Sequence, residues 1–459
     1  MTGNDPSPLE ALRAVEAELD TRWPETKIAP TLDRVRALTA LLGDPQRAYP
    51  VLHVAGTNGK TSTSRMLDAL LVAMGLRTGR YTSPHLQLVT ERISVDGAPI
   101  PPERYVEVYR DVQPYVELVD AQQRKEDKPL LSKFEVLTAM AFAAFADAPV
   151  EAAVVEVGLG GTWDATNVAD ATVAAICPVG LDHVEYLGDD LAGIGREKAG
   201  VIKPGSIAVV AEQPPEVMRV LLERCAEVDA VVARQGMEFG VLKRDVAVGG
   251  QMLRLQGLGG VYDEIFLPLH GAHQATNAAL ALAAAEAFFG AGAQRQLDVE
   301  VVREAFASVI SPGRLERVRS APTVLLDAAH NPHGARALAA ALTEEFAFRK
   351  LVAVVGVMGD KDTRGILTAL EPAVSEIVVT QNSSPRAMPA DELALLAGEV
   401  FGDDRVLVEH RLEDAIETAV RLAEETAEPG EPVSGAGVVV TGSVVTAGEA
   451  RALFGKEPA

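Results

Sequence analysis

The sequence is poor in cysteine and in positive charge. Its 459 residues include two cysteines, Cys177 and Cys225, which excludes a disulfide framework and a multi-cysteine zinc site and fits a reducing compartment. The formal net charge is −23. That balance argues against a nucleic-acid partner, because the phosphates would be repelled. A small anionic ligand is not excluded, since a local cluster of Lys and Arg can outweigh the overall field.

The sequence also has no apolar run long enough to cross a bilayer, for which about 20 residues are needed. The first nine residues are polar and lack a basic stretch followed by an apolar core, so no signal peptide is predicted. We therefore expect a cytoplasmic, monomeric protein. Its expected partners are small molecules, with no membrane and no nucleic acid among them.

The length and the order of the predicted elements indicate two α/β domains. A chain of 459 residues exceeds one ordinary core. Buried strands alternate with helices, which predicts a parallel sheet, whereas residues 236–269 alternate in polarity and predict antiparallel strands. The alternation restarts after Ser311-Pro312-Gly313. We therefore predict a P-loop-type parallel-sheet ATPase domain over residues 1–311 and a smaller Rossmann-like α/β domain over residues 312–459.

The most informative stretch is the glycine-rich turn Gly56-Thr57-Asn58-Gly59-Lys60-Thr61-Ser62 after the apolar run 51–55. The glycines allow a tight turn whose N–H groups point at one place, Lys60 adds a charge, and Thr61 or Ser62 offers a hydroxyl to a cation. This set suits a polyphosphate with its metal. The strict phosphate-loop pattern needs Gly at the position of Val54. The alternative is a glycine turn that only ends a strand.

Polar residues at the ends of other predicted strands are further candidates. Glu156 ends a buried strand before a second glycine-rich loop, where it could hold Mg²⁺ or pair with a buried Arg. His183 on its own is more typical of a structural hydrogen bonder than of a ligand, and Ser83 alone is unremarkable. Their shared position after strands of one sheet is the reason to group them.

Four further positions carry alternatives. Lys198, in a segment of mixed charge, is typical of a solvated surface lysine. Asn277 lies in an apolar helix and needs a partner, and Arg314 could reach phosphates across an interdomain cleft. The polar run from Asp327 to Asn331 follows a strand, a position that is typical of a functional site but also of a cluster that caps the N-terminus of a helix.

Together these motifs resemble the folylpolyglutamate synthase family, whose bacterial members often act as dihydrofolate synthases too, within the ATP-dependent Mur ligases. The resemblance covers nearly the whole chain, and its most specific part is Glu156–Gly161 with Asp164–Asn167. Other matching motifs are Thr82-Ser83-Pro84-His85, Arg196-Glu197-Lys198-Ala199-Gly200, His273–Asn277, Pro312-Gly313-Arg314, Asp327–Pro332 and Gly359-Asp360-Lys361-Asp362.

The resemblance implies a two-domain fold with ATP in the cleft, and it implies roles for individual residues. The ATP-binding positions are Gly56, Thr57, Asn58, Gly59, Lys60, Thr61, Ser62, Asn277, Arg314 and Asp327. The Mg²⁺-binding positions are Thr61, Ser83, Glu156 and His183. The folate- or pterin-binding positions are Ser132, Phe134, Glu135, Trp163, Asp164 and Ala165. The glutamate-binding positions are His330 and Asn331. The catalytic positions are Lys60, Lys198 and His330.

The resemblance also implies a reaction. Lys198 matches a lysine that is carbamylated in this group, so the resemblance implies a modified lysine near the metals instead of a solvated surface lysine. The implied enzyme is an ATP-dependent carbon–nitrogen ligase that adds L-glutamate to the terminal carboxylate of tetrahydrofolate, and of dihydropteroate, through an acyl phosphate. One alternative is a cell-wall Mur-type amino-acid ligase. The alternative from another class is a nucleotide-dependent regulatory switch.

Overall fold

The computed structural model describes residues 6–24, 29–290, 292, 295–425 and 435–459. Part of the polar N-terminal stretch examined for a signal peptide, residues 1–5, lies outside the described residues. Among the helices in these ranges, none combines the length and apolar character needed to cross a membrane. The α/β class predicted from the sequence is confirmed, with strands and helices alternating along both halves of the chain.

Most of the helices present an apolar face to a sheet. Their bounds are α1 Pro8–Asp20, α2 Asp33–Leu41, α3 Lys60–Ala73, α4 Pro102–Lys125, α5 Lys133–Asp147, α6 Val184–Leu187, α7 Leu191–Ala199, α8 Pro215–Glu227, α9 Ala272–Phe288, α10 Val299–Ala307, α11 Pro332–Glu345, α12 Thr363–Leu370, α13 Ala390–Phe401, α14 Leu412–Glu424 and α15 Val444–Leu453.

The strands are short and mostly buried. Their bounds are β1 Val51–Ala55, β2 Thr78–Tyr81, β3 Ile93–Val95, β4 Ala98–Pro99, β5 Ala152–Glu156, β6 Ala171–Ile176, β7 Ile207–Val210, β8 Val231–Arg234, β9 Gly240–Ala247, β10 Gly250–Gln256, β11 Val261–Leu267, β12 Glu316–Ser320, β13 Thr323–Leu326, β14 Lys350–Val355, β15 Glu376–Val379, β16 Val406–Val408 and β17 Ala436–Thr441.

The first large sheet has eight strands in the order β4-β3-β2-β5-β1-β6-β7-β8. From β2 to β8 the strands are parallel, and β3 and β4 form an antiparallel edge. Every residue of β1 and β5 is buried, as a sheet covered on both faces requires. In this order β5 and β2 lie on one side of β1, and β6 to β8 lie on the other. A point at which the strand order reverses in this way leaves a crevice at the carboxyl ends of the strands.

The segment 236–269 forms the predicted antiparallel strands, a sheet in the order β11-β10-β9. This small sheet packs with α3, α9 and α10 against one face of the eight-stranded sheet, where it extends a single apolar core. The opposite face is covered by α1, α4 and α5 near β1 and by α7 and α8 near β7.

The second large sheet has six strands in the order β12-β13-β17-β14-β15-β16. Only β12 runs antiparallel to its neighbour; the other described pairs are parallel. Helices α11, α12 and α13 cover one face, and α14 and α15 cover the other. This arrangement agrees with the predicted second α/β unit.

A buried carboxylate joins the two units on the side of the small sheet. Glu345, at the end of α11, has a side chain that is 0% exposed and forms an ion pair with Arg244 of β9. The amide of Gly271 donates over 2.7 Å to the oxygen that pairs with Arg244, and the other carboxylate oxygen lies 2.9 Å from Nδ1 of His270. Because Gly271 directly precedes α9, this joint fixes the second unit against the first turn of that helix.

Candidate active site

A cavity of about 960 Å³ opens where the carboxyl ends of the two large sheets face each other. Nearly all of the residues singled out in the sequence line it. They are Gly56, Thr57, Asn58, Gly59, Lys60, Thr61, Ser62, Ser83, Ser132, Phe134, Glu135, Glu156, Trp163, Asp164, Ala165, His183, Lys198, Asn277, Arg314, Asp327 and His330. Asn331 lies just behind the surface and is 2% exposed. Five of the chain's eight histidines also line the cavity, namely His85, His183, His273, His330 and His333.

Two walls flank the cavity. The N-terminal wall consists of Gly56–Ser62, Glu156 and Lys198, and the C-terminal wall consists of Arg314 and Asp327–Asn331. The first wall is built on β1, β5 and α7, whereas the second begins where β12 and β13 enter the six-stranded sheet. The two walls belong to different sheets, so the cavity lies between the two units.

The glycine turn of the N-terminal wall needs both of its glycines. Gly56 has φ of +144°, and a Cβ there would lie 2.5 Å from Cβ of Cys177. Gly59 has φ of +88°, and a Cβ there would lie 2.5 Å from Oδ1 of Asn277. Positive φ and the lack of space both exclude an ordinary side chain. The turn therefore brings its backbone close to α9, as a ligand-cradling loop does.

Lys60 begins α3 directly after this turn, so its backbone N–H and its charge face the same space. Its Nζ donates to the carbonyl of Thr57 over 3.2 Å. Thr57 itself is fixed by a hydrogen bond to the carbonyl of Gly180 at 3.0 Å. The cation is thus held over its own loop, where a phosphate group would also be held.

The residues around Glu156 fit a divalent cation. Thr61 Oγ1 donates to Glu156 Oε1 over 3.0 Å, while Oε2 is buried and has no hydrogen-bond partner in the structure. Burial raises the pKa of Glu156 to about 7 in spite of the nearby charge of Lys60. An unsatisfied buried carboxylate oxygen beside a hydroxyl is the hard oxygen donor set that Mg²⁺ prefers. Ser83 also lines this side of the cavity.

The hydroxyl of Ser62 is turned elsewhere. It lies 3.1 Å from Oγ of Ser311 and accepts from Gln274 over 3.2 Å, which leaves Thr61 as the hydroxyl beside Glu156. His183 has a left-handed backbone and a side chain that is 40% exposed. Within the described ranges, no three His, Cys, Asp or Glu side chains converge as a ready-made metal cluster. A cation here would share its coordination with ligand oxygens.

Lys198 overturns the interpretation of a solvated surface residue. It is 4% exposed, and its Nζ donates to the carbonyl of Gly56 over 2.9 Å. Burial, together with the charge of Lys60, lowers the pKa of Lys198 to about 7. A large share of its amine is therefore neutral and nucleophilic near neutral pH, unlike an ordinary lysine.

On the C-terminal wall, Asp327 is 8% exposed and accepts from the amides of Leu315 and Ala329, both at 2.9 Å. His330 lines the cavity; its Nδ1 lies 3.0 Å from the carbonyl of Ala328, and its Nε2 lies 3.6 Å from Oδ2 of Asp182. The alternative that this run caps a helix is right for one member, because Asn331 Oδ1 accepts from the amide of Gly334 at the start of α11. The cap uses only this oxygen, and the side-chain nitrogen Nδ2 of Asn331 has other partners.

The side-chain nitrogen of Asn331 makes a hydrogen bond to the N-terminal wall. Asn331 Nδ2 donates to Asn58 Oδ1 over 3.1 Å and to Asp182 Oδ2 over 3.0 Å. Asn58 Nδ2 also lies 2.8 Å from Nδ1 of His333. Asn277, in turn, donates to Gln274 over 3.1 Å, so its partner within the structure is a neighbour on α9. The two walls therefore touch through side-chain amides beside the glycine turn.

The predicted pterin residues form a third, more apolar part of the cavity. Phe134 and Trp163 pack against glycines of the second loop, since a Cβ on Gly158 would lie 2.4 Å from Phe134 and one on Gly160 3.0 Å from Trp163. Asp164 accepts from the amide of Leu159 over 2.9 Å and thereby closes that loop.

Two of these residues have visible structural partners. Ser132 and Glu135 form the capping box of α5, and Glu135 also pairs with Arg34 inside the protein. Their polar atoms are thus already occupied, so a ligand would meet them chiefly through the shape of this corner. Ala165 completes the corner as a small apolar contact.

Sequence reasoning missed Asp182 and gave Lys361 no role. Asp182 directly precedes His183, and its Oδ1 accepts from Nζ of Lys361 over 2.8 Å. Burial would raise the pKa of Asp182, but His330, His183 and Lys361 hold it far below its ordinary value. The one available signal was its place at the end of a strand; nothing in the sequence pairs it with a lysine 179 positions away.

Comparisons with known proteins agree with this geometry. The Mur ligase middle domain matches residues 54–285, and the glutamate ligase domain of Mur ligases matches residues 313–444. A dihydrofolate synthase/folylpolyglutamate synthase of Mycobacterium tuberculosis is 60% identical over 100% of this chain and 97% of its own length. The corresponding protein of Bacillus subtilis is 33% identical over 80% of this chain and 84% of its own.

Solved structures give the same result. M. tuberculosis folylpolyglutamate synthase complexed with ADP superposes with a TM-score of 0.94 at 59% identity, covering 99% of this chain and 100% of that one. E. coli FolC in complex with DHPP and ADP gives a TM-score of 0.82 at 30% identity, covering 98% and 99%. The chain belongs to the dihydrofolate synthase/folylpolyglutamate synthase family of Mur ligases.

Proposed function

We propose that the protein is an ATP-dependent ligase that joins L-glutamate to the terminal carboxylate of tetrahydrofolate and of dihydropteroate. The observation that carries this proposal is the placement of Lys60 and the unsatisfied Glu156 opposite Arg314 and His330 across one cavity, with Asn331 just behind its surface. The names of the relatives supply the substrate class.

The chemistry begins at the carboxylate of the folate substrate. A carboxylate oxygen attacks the γ-phosphorus of ATP, a P–O bond to the β-phosphate breaks, and an acyl phosphate and ADP result. This step replaces oxide, a poor leaving group, by phosphate. The role of the chain is positioning and neutralisation of charge, for which Lys60 and Arg314 are suited from opposite walls.

We assign the remaining nucleotide contacts to the glycine turn, with Asn277 and Asp327 on the nucleoside side. Thr61 and Glu156 would hold Mg²⁺, with Ser83 beside them, and His183 would hold a second ion. When bound, Mg²⁺ neutralises negative charge on the phosphate oxygens. The orphaned Oε2 of Glu156 supports this assignment most directly.

In the second step the amine of L-glutamate attacks the acyl carbon and phosphate leaves, forming the amide. His330 and Asn331 are proposed to hold the amino acid, because they stand opposite the glycine turn. Phe134, Trp163, Asp164 and the Ser132–Glu135 corner are proposed to hold the pterin end. The aromatic rings of Phe134 and Trp163 in that corner support this placement.

Lys198 is proposed to be carbamylated. Its low pKa makes the amine available to CO₂, and the product is a carboxylate next to Gly56, near Lys60. A buried ammonium would thus be exchanged for an anion that suits the metal side of the cavity. The lysine would then support phosphoryl transfer by charge rather than as a nucleophile.

We also propose a domain boundary between residues 311 and 312, a monomeric state and a cytoplasmic location. The start of the glutamate ligase match at residue 313 supports the boundary. A cell-wall Mur ligase is the nearest alternative function, and a nucleotide-dependent switch is a more distant one. The specific glycine loop after Glu156 favours the folate ligase over both.

The test is phosphate release from ATP with Mg²⁺ and L-glutamate. Tetrahydrofolate, dihydropteroate and a uridine-diphosphate sugar peptide are compared as acceptors. We expect release with the two pterin acceptors and none with the sugar peptide. Release with the sugar peptide alone would favour the cell-wall alternative, and release that ignores the acceptor would favour the switch.

A further inference from the structure

Asp182 connects the first unit to the second unit beside the cavity. It lies in the loop after β6, whereas its partners belong to the second unit: Asn331 precedes α11, and Lys361 lies in the loop between β14 and α12. Its side chain is 10% exposed and that of Lys361 is 11% exposed. This pair is therefore largely shielded from water, where an ionic contact is stronger than at the surface.

Both carboxylate oxygens are engaged. Oδ1 accepts from Lys361 Nζ over 2.8 Å and from the amide of His183 over 2.9 Å. Oδ2 accepts from Asn331 Nδ2 over 3.0 Å and lies 3.6 Å from Nε2 of His330. One carboxylate thus sets the places of an amide, an ammonium and an imidazole that all come from the second unit.

These partners sit where the amino acid is proposed to enter. Asn331 is held on one side by Asp182 and on the other by Asn58 of the glycine turn, over 3.1 Å. Asn331 thus connects the glycine turn, on the phosphate side of the cavity, with Asp182. By contrast, Lys60 and Glu156 have their hydrogen-bond partners, Thr57 and Thr61, on their own wall.

We propose that Asp182 is a positioning residue for the second step of the reaction: it orients His330, Asn331 and Lys361 so that the incoming amino acid meets the acyl phosphate. This inference rests on the proposed function. It separates the two steps, since attack of the folate carboxylate on ATP relies on the N-terminal wall, whereas attack of the amine relies on the network around Asp182.

The replacement Asp182→Asn keeps the shape and removes the charge. An amide at this position can present only one acceptor oxygen, so Lys361 and Asn331 compete for it and one of them faces an N–H group. Loss of a charge-assisted hydrogen bond corresponds to roughly 10- to 100-fold in an equilibrium. We expect the KM for L-glutamate to rise by this factor.

The first step can be measured alone with hydroxylamine. It attacks the acyl carbon, forms the C–N bond of a hydroxamate and displaces phosphate, and it is too small to need the amino-acid site. With full-length Asp182→Asn, ATP, Mg²⁺ and tetrahydrofolate, we expect hydroxamate formation within about threefold of the unchanged protein. Asp189→Asn is the matched control, since it removes one charge from an exposed position between α6 and α7.

The inference is tested by comparing the change in hydroxamate formation with the change in the KM for L-glutamate. If hydroxamate formation falls as far as amide formation, Asp182 acts through His183 and the phosphate side, or through folding, and the inference is wrong. An unchanged KM for L-glutamate would also overturn it. If the unchanged protein forms neither hydroxamate nor amide, the proposed function fails, and this inference fails with it.

Discussion

The two walls of the cavity are held in place by different means. The N-terminal wall is fixed from within its own sheet: Lys60 bonds to Thr57, Thr61 to Glu156, and Lys198 to the carbonyl of Gly56. The C-terminal wall owes much of its position to contacts with the other unit, through Asn331 and through the joint at Glu345. The first wall is thus preorganised, whereas the second depends on how the two units meet.

The difference suggests a division of labour. Phosphoryl transfer needs fixed charges and gains from a rigid wall. Amide formation needs an amino acid to enter and then be enclosed, which suits a wall that can shift with its sheet. Substitutions in the first wall should therefore impair the formation of the acyl phosphate, and those at the contacts between the units should act later or more weakly.

The largest effect is expected for Lys60→Ala. It removes the cation that the glycine turn holds toward the phosphates, so turnover with ATP, L-glutamate and tetrahydrofolate should fall by about 10³-fold or more. Hydroxamate formation should fall equally. Lys128→Ala, which removes an exposed lysine with a 60% exposed side chain, serves as the control. Near-normal activity of Lys60→Ala would end the phosphate-loop assignment.

The next effect concerns Lys198 and its dependence on pH. Because its folded-state pKa is lowered to about 7, the amine is largely neutral above pH 7 and becomes protonated below it. Carbamylation should therefore be retained at pH 7–8 and lost as the pH falls below about 6, detected by ¹³C NMR after addition of ¹³C-bicarbonate. Lys198→Ala should lose the signal and about 100-fold in turnover.

The sign for stability follows from the same shift. Between pH 7 and the ordinary lysine value, the unfolded chain binds more protons than the folded one, so Lys198 makes stability rise with pH there. A carbamate signal that persists at pH 5, or that survives in Lys198→Ala, would contradict the assignment.

A pair of glycine variants isolates one contact between α9 and the glycine turn. Gly59 and Gly75 have φ of +88° and +89°, but a Cβ on Gly75 has no atom within 4 Å, whereas one on Gly59 meets Asn277. Both Ala variants carry the backbone strain of about 1 kcal/mol. Only Gly59→Ala should raise the KM for ATP, by about tenfold or more. Equal behaviour of the two would show that strain alone matters.

The smallest effect on turnover is expected at the joint. Glu345→Gln leaves Arg244 without its buried counter-charge and His270 without its carboxylate partner, which should cost about 3 kcal/mol of unfolding free energy in urea titrations. Glu344 also pairs with Arg244, at 3.5 Å, but its side chain is 55% exposed, so Glu344→Gln should change the unfolding free energy by less than about 0.5 kcal/mol. Similar losses for both would mean that the joint is not specific.

The pH dependence of this joint has a defined direction. Burial would raise the pKa of Glu345, but His270, the amide of Gly271 and Arg244 lower it overall. Its stabilisation is therefore fully present above the unfolded carboxyl value and is lost as the pH falls through the folded one. Glu345→Gln should flatten the acid limb of the stability profile, and Glu344→Gln should not.

How much the sequence predicted follows from the same contrast. The glycine turn, the strand before it and the helix after it are local patterns, and the structure has them at the expected residues. The restart of alternation after residue 311 likewise follows from periodicity. The role of Lys198 was invisible in composition, because its burial depends on a loop 142 positions away in the chain.

Asp182 shows where such prediction stops. Its meaning comes from Lys361 and Asn331, which reach it only after two separate sheets have folded and met. Local propensity carries no information about such a meeting. The same holds for Glu345, whose neighbours Arg244 and His270 belong to an antiparallel sheet and to the segment after it.

The gathering of five histidines around one cavity gives the protein a set of built-in spectroscopic probes. Burial lowers the pKa of His183 and His273 to about 4, so their rings stay neutral at pH 7 and their signals would respond to ligands rather than to small changes in buffer. His410, whose side chain is 64% exposed and does not line the cavity, offers a control for changes away from the site. A ¹⁵N-histidine spectrum could thus follow occupancy of the cavity without any turnover, one substrate at a time.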